Sequence, residues 1–145
     1  MKVTIGPYKD KGKRKEEVTI HNYDTWSMDH TLALIALPML KQLKEIKHGV
    51  PRVDYEDMPE HLQYNERQYD NRAVGDLFNK WDDFDHEFDH QVKVWDWIMD
   101  EMIWAMEQIV NESEVDPDVW YSKEFNDRMH NGLRLFGKYY RSLWD

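Results

Sequence analysis

Cysteine is absent from this 145-residue chain. That excludes disulfide scaffolds, cysteine zinc sites and cysteine nucleophiles. No apolar run is long enough to cross a bilayer, and the opening MKVTIGPYKDKGKRK lacks the apolar core of a signal peptide. The expectation is a soluble intracellular protein with no membrane partner. Internal repeats and low-complexity tracts are missing too. What is present is apolar and ring-rich: 41 % hydrophobic residues and 14 % aromatic, including 7 Trp and 8 Tyr. A disordered tail does not have that composition. The length suits one domain over 1–145, large enough to bury a core.

The net charge of −10 is unevenly spread. Residues 1–53 carry 10 basic and 6 acidic groups, a net of +4. Residues 54–127 carry 5 and 22, a net of −17, and residues 128–145 carry 4 and 1, a net of +3. The acidic middle repels nucleic-acid backbone and anionic membrane, so direct DNA binding is not expected. The two basic ends either neutralise the acidic middle or meet an anion together.

The patterning predicts a mainly α fold, an N-terminal β-hairpin packed on a bundle of about three long helices. The hairpin spans 2–23: KVTIGP and EVTIHNY are rich in β-branched residues and flank the charged turn YKDKGKRKE. A first helix over 25–48 has Thr25 or Ser27 as its cap. TLALIALPML is apolar on every side, which points to a central helix, and Pro38 predicts a kink. Lys41, Lys44 and Lys47 suit its C-terminal dipole. Residues 50–73 read as a long polar loop with one short helical turn after Pro59.

A long helix is predicted over 77–111. Its seam is Leu77, Trp81, Phe84, Phe88, Trp95, Ile98, Met102, Ala105 and Ile109, with a break at Gln91–Val92. Val94, Trp97 and Trp104 lie off that seam and need a second covering surface, which makes a homo-oligomer one expectation. A C-terminal helix over 122–143 has Phe125, Met129, Leu133, Phe136, Tyr140 and Leu143 as its seam. Asn131, Arg134, Lys138 and Arg141 form a polar row on its far side.

Four patterns carry chemistry. His86, Glu87 and His90 spell HExxH, in which two His one turn apart bind zinc and the Glu activates water. Here both His fall about 200° from seam residues, facing away from the core, which suits a solvated face better than a metal site. Glu-x-x-His spacings such as Glu87/His90 are also how carboxylate-bridged bundle sites are built, but with 29 acids and 7 His such pairs arise by chance. Trp26 and His30 enter the first helix, where a helix N-terminus can hold an anion and a ring can stack on it. Arg134, Lys138 and Arg141, with Tyr139 beside them, can hold a phosphate and stack a base, or simply solvate a helix face.

Three blocks resemble a family of small uncharacterised proteins of tailed bacteriophages. They are DTWSMDHTLALIALPMLKQLKEIKHG (24–49), WDWIMDEMIWAMEQ (95–108) and RMHNGLRLFGKYYRSLWD (128–145), 58 residues in all. The resemblance implies phage origin and the host bacterial cytoplasm. It carries no activity, and HExxH lies outside the three blocks. The expected function is a non-enzymatic phage accessory protein that binds a small anionic ligand, such as a nucleotide-derived host defence signal. Its site would be Trp26, His30, Arg134, Lys138, Tyr139 and Arg141, with no catalytic residue and no cofactor. One alternative is an acidic protein–protein inhibitor of a host protein, or a virion component. The other is a metal-dependent hydrolase using the Asp, Glu and His residues of the long helix.

Overall fold

Short β-branched stretches give two four-residue strands, β1 (Lys2–Ile5) and β2 (Glu16–Thr19), paired antiparallel with Val3 opposite Val18. The computed structural model describes residues 1–6, 12, 14–63 and 80–144, with side chains of the last stretch from residue 87 onward. Most of the hairpin's basic tip, and Leu77, Trp81, Phe84 and His86 of the motifs above, therefore lie outside the described residues or side chains. The chain is mainly α, with this hairpin at its N-terminus and, among the described residues, three long helices: α1 (Met28–Ile46), α2 (Lys80–Val110) and α4 (Lys123–Lys138). A four-residue α3 (Pro117–Trp120) precedes the last, with Pro117 in the first turn and the Asp116 carboxylate accepting the Asp118 N–H. No helix among the described residues is long and apolar enough to cross a membrane.

The hairpin is tied to α1 by a 3-10 turn, Asn22–Thr25. The terminal ammonium of Met1 reaches the Asp24 carboxylate at 2.9 Å, and the same oxygen accepts the His21 N–H at 2.7 Å. Those two contacts, the His21 N–H first, hold the Asp24 carboxyl below the usual carboxylate range. Thr25 donates its hydroxyl to the Asn22 carbonyl, and Ser27 stands at the cap position of α1 without a side-chain cap bond.

The centre of the bundle is α2, not α1. In α1 only Ala33 and Leu40 are buried, whereas Val94, Trp95, Ile98, Met99, Met102 and Ala105 of α2 are almost wholly enclosed. The reason lies in α2's two apolar faces. One packs on α1 and the other on α4, both antiparallel to it, and the set that seemed to need an external cover is closed in this way. Val94 is buried, and Trp104 lies edge-on to Phe125 of α4 at 5.3 Å. An apolar α1 is consequently a flank with one face in and one face out. Pro38 does not interrupt it. Pro38 and Leu34 are both exposed, so water can take the Leu34 carbonyl that the missing N–H leaves open.

The C-terminal seam also differs from the apolar reading. Met129, Gly132, Leu135 and Tyr139 are buried, while Leu133 and Tyr140 are exposed. Gly132 sets this rotation: a Cβ there would lie 2.5 Å from the Glu101 carbonyl oxygen and 2.7 Å from the Ala105 Cβ. A search for large apolar residues passes over the glycine that marks the closest approach of the two helices.

Charge then locks the register. Lys41 and Lys44 of α1, and Lys47 just past its end, reach Glu107, Asp100 and Asp96 of α2 at 2.6, 2.5 and 2.5 Å. The ascending lysines meet descending acids, as an antiparallel pair requires. On the other side Arg128 of α4 grips Glu101 with two hydrogen bonds, 2.8 and 3.1 Å, and stacks 4.1 Å above the Trp104 ring. The basic ends therefore neutralise the acidic middle within the fold.

Candidate functional site

The polar row of α4 converges on one buried acid. Asp57, only 5 % exposed, ends a 3-10 turn (Tyr55–Asp57) in the connection that follows α1. Its Oδ1 accepts from Arg134 at 2.6 Å, and its Oδ2 accepts from Lys138 at 2.6 Å and from the Tyr139 hydroxyl at 2.7 Å. The Tyr139 oxygen in turn accepts the Asp54 N–H at 3.1 Å. Lys138 also reaches Asp54 at 2.8 Å and Glu56 at 3.1 Å.

Burial pushes the Asp57 carboxyl up, but the hydrogen bonds from Lys138, Tyr139 and Arg134 together outweigh it and hold it below the usual carboxylate range. Burial, then the neighbouring carboxylate, pushes the Tyr139 hydroxyl up to about 12. Hydrogen bonds to Asp54 and Asp57 hold Lys138 firmly protonated, above an ordinary lysine. The cluster fastens the connection to α4. Its carboxylates Asp54, Glu56 and Asp57 are close enough to share a cation, and the ammonium of Lys138 fills that role.

The six residues expected to form an anion pocket fall in separate places. Arg134, Lys138 and Tyr139 meet at Asp57, where Tyr139 also lies edge-on to Trp95, ring centres 5.6 Å apart. His30 sits at the far end of α2, its Nδ1 donating to the Ile109 carbonyl at 3.2 Å and capping that helix terminus. From Trp95 to Ile109 the axis of α2 runs about 21 Å at about 1.5 Å per residue. Arg134 and His30 therefore do not share a hollow. Arg141 is exposed with no ion-pair partner among the described residues, and Trp26 is 92 % exposed at the head of α1.

The HExxH reading changes as well. Phe88 is 41 % exposed instead of buried in the seam, so the helix is rotated there and His90 turns inward. Its Nε2 donates to the Leu62 carbonyl at 2.8 Å, and Glu87 accepts from Gln91 at 3.4 Å. A histidine that holds a carbonyl through Nε2 does not offer that nitrogen to a metal.

The feature that the sequence reading missed is the outer face of α1. Met28, Leu32, Ile35, Met39 and Ile46 are 37 % to 66 % exposed and recur at alternating steps of four and three, with Gln42 completing the row. The inward row is offset: Ala33, Leu37, Leu40 and Leu43. Two apolar rows on one helix were legible as spacing, but they merged into an impression of apolarity on every side. Tyr23, 75 % exposed, and Trp26 lie just before the helix start, and Ile5, Val18 and Ile20 of the hairpin are exposed too. No protein-family model matches the chain, and comparison with curated proteins and with solved structures found no match.

Proposed function

We propose that this chain is a non-enzymatic binding module that works through protein–protein contact, with Tyr23 and Trp26 at the centre of its contact surface. The single observation that carries the reading is Trp26: an indole left 92 % exposed between a hairpin and a helix that also expose apolar side chains. Soluble proteins seldom leave large contiguous apolar area in water, and tryptophan and tyrosine dominate the energetics of interfaces. In the setting implied by the phage resemblance, the partner is a host or virion protein.

The other two readings find less support. Arg134 and Lys138 already meet three carboxylates, which leaves little positive charge for a phosphate. On α2, His90 holds a carbonyl, Asp96, Asp100 and Glu107 hold lysines, and Glu101 holds Arg128.

The test compares the wild-type chain with Tyr23→Ser/Trp26→Ser as immobilised bait in bacterial lysate. The expected result is a defined protein captured by the wild type and lost by the variant, with identical thermal melting of the two baits. Equal capture by both would overturn the reading.

A further inference from the structure

We infer that the outer face of α1 is a homodimer interface, in which the α1 helices of two copies pack antiparallel about a two-fold axis. This rests on reading the apolar face as a contact surface. It assigns the helical part of that face to a second copy and leaves Tyr23 and Trp26 to the foreign partner.

Three observations select a second copy. The first is spacing. The exposed row from Met28 to Ile46 alternates steps of four and three, the pattern that lays one helix along another at a shallow crossing angle. Antiparallel overlap of the whole row puts Met28 against the partner copy's Ile46, and Ile35 against its Met39. The row is self-complementary in this arrangement, as a two-fold contact demands.

The second is area. At roughly 100 Å² of apolar surface for each half-exposed aliphatic side chain, the row offers about 500 Å² per copy. A standard interface buries about 800 Å² per partner, with roughly 60 % of it apolar, so the apolar share matches.

The third is charge. The start of α1 lies beside the end of α2, since His30 holds the Ile109 carbonyl. Residues 107–118 at that end carry five acids and no base. Residues 41–52 at the other end carry four bases against one acid, and three of those bases, Lys41, Lys44 and Lys47, pair with Glu107, Asp100 and Asp96 of α2, so that end is close to neutral. Parallel packing would bring the two acidic ends together. Antiparallel packing sets each acidic end against the other copy's nearly neutral lysine-bearing end and keeps the two 107–118 segments apart along the axis.

The test is sedimentation equilibrium of the full chain, with Leu32→Glu/Met39→Glu as the disrupting variant. The expected wild-type mass is twice 17.7 kDa at tens of micromolar. The variant should sediment as a single chain with an unchanged far-UV spectrum, because both positions are exposed in the isolated fold. A wild type that stays single at these concentrations overturns the inference.

Because the chain has no cysteine, orientation can be read by oxidation of single-cysteine variants. Met28→Cys mixed with Ile46→Cys should give a disulfide-linked dimer that neither gives alone. Cross-linking of Met28→Cys with itself would overturn the antiparallel arrangement. A single-chain wild type whose capture of a partner still depends on Trp26 refutes the dimer alone. A dimer with capture indifferent to Trp26 refutes the functional reading alone.

Discussion

Replacing Asp57 by Asn tests whether one buried carboxylate holds the connection after α1 onto α4. The amide keeps the shape and removes the charge that Arg134 and Lys138 face at 2.6 Å each and that the Tyr139 hydroxyl meets at 2.7 Å. A hydrogen bond to a charged group contributes about 1.5–3 kcal/mol. Arg134 and Lys138 are partly in water, with side chains 48 % and 29 % exposed, so their shares are screened well below that. The expected loss is about 2–4 kcal/mol at pH 7, measured by urea unfolding. Because the folded carboxyl titrates below the ~3.9 of an unfolded aspartate, its contribution is complete above that value and is lost as pH falls through the folded pKa. The gap between wild type and Asp57→Asn should therefore stay constant from pH 7 to about 5 and narrow below about pH 4, by at most ~1.4 kcal/mol per pH unit. A variant within about 0.5 kcal/mol of wild type at pH 7, the scatter of an ordinary surface change, would refute the reasoning. So would a gap that does not narrow in acid.

Two further perturbations address the helix contacts. Gly132→Ala should lose about 2–3 kcal/mol in the same assay, because its Cβ meets the Glu101 carbonyl and Ala105 of α2 at 2.5 and 2.7 Å. Gly137→Ala, with nothing within 4 Å of its Cβ, should be neutral or gain up to about 1 kcal/mol from helix propensity. Equal effects at both glycines would show that no close helix approach exists. Arg128→Ala strands Glu101, whose side chain is 10 % exposed, and uncovers one face of Trp104. A loss of about 2–3 kcal/mol and a shift of the tryptophan fluorescence are expected, and Arg128→Lys should recover only part of the stability because a lysine cannot make both bonds.

Local patterning carried the hairpin, the presence of three long helices and the end of α1 close to residue 48, because these depend on residues close in sequence. What depends on pairing between distant segments was hidden. The hydrophobicity of α1 suggested a central position, yet α2 takes it, because both apolar faces of α2 are covered by neighbouring helices while one apolar row of α1 stays exposed. The α4 polar row was visible as Arg134 and Lys138, but its partners lie in the Asp54–Asp57 turn, remote in sequence and indistinguishable there from other acids of an acidic stretch. The inward turn of His90 followed from where Phe88 points, which periodicity alone placed wrongly.

The uneven charge of the sequence is used by the fold itself, and this bears on function. The two lysines of α1, Lys47 just past its end, and three of the four cations of the last eighteen residues are each committed to an acid of the middle segment. What remains outside is a surface with net charge −10, which disfavours an anionic ligand at long range. On such a surface the outer side of α1 is distinctive because it is apolar, with its only charges at Asp29, Lys41, Lys44 and Glu45. Two of these already pair with α2. Contact through that side therefore requires little desolvation of charge, whereas contact through the acidic flanks requires either a basic partner or the stripping of water from carboxylates. The physical asymmetry of the molecule thus favours the proposed apolar contact over capture of an anion.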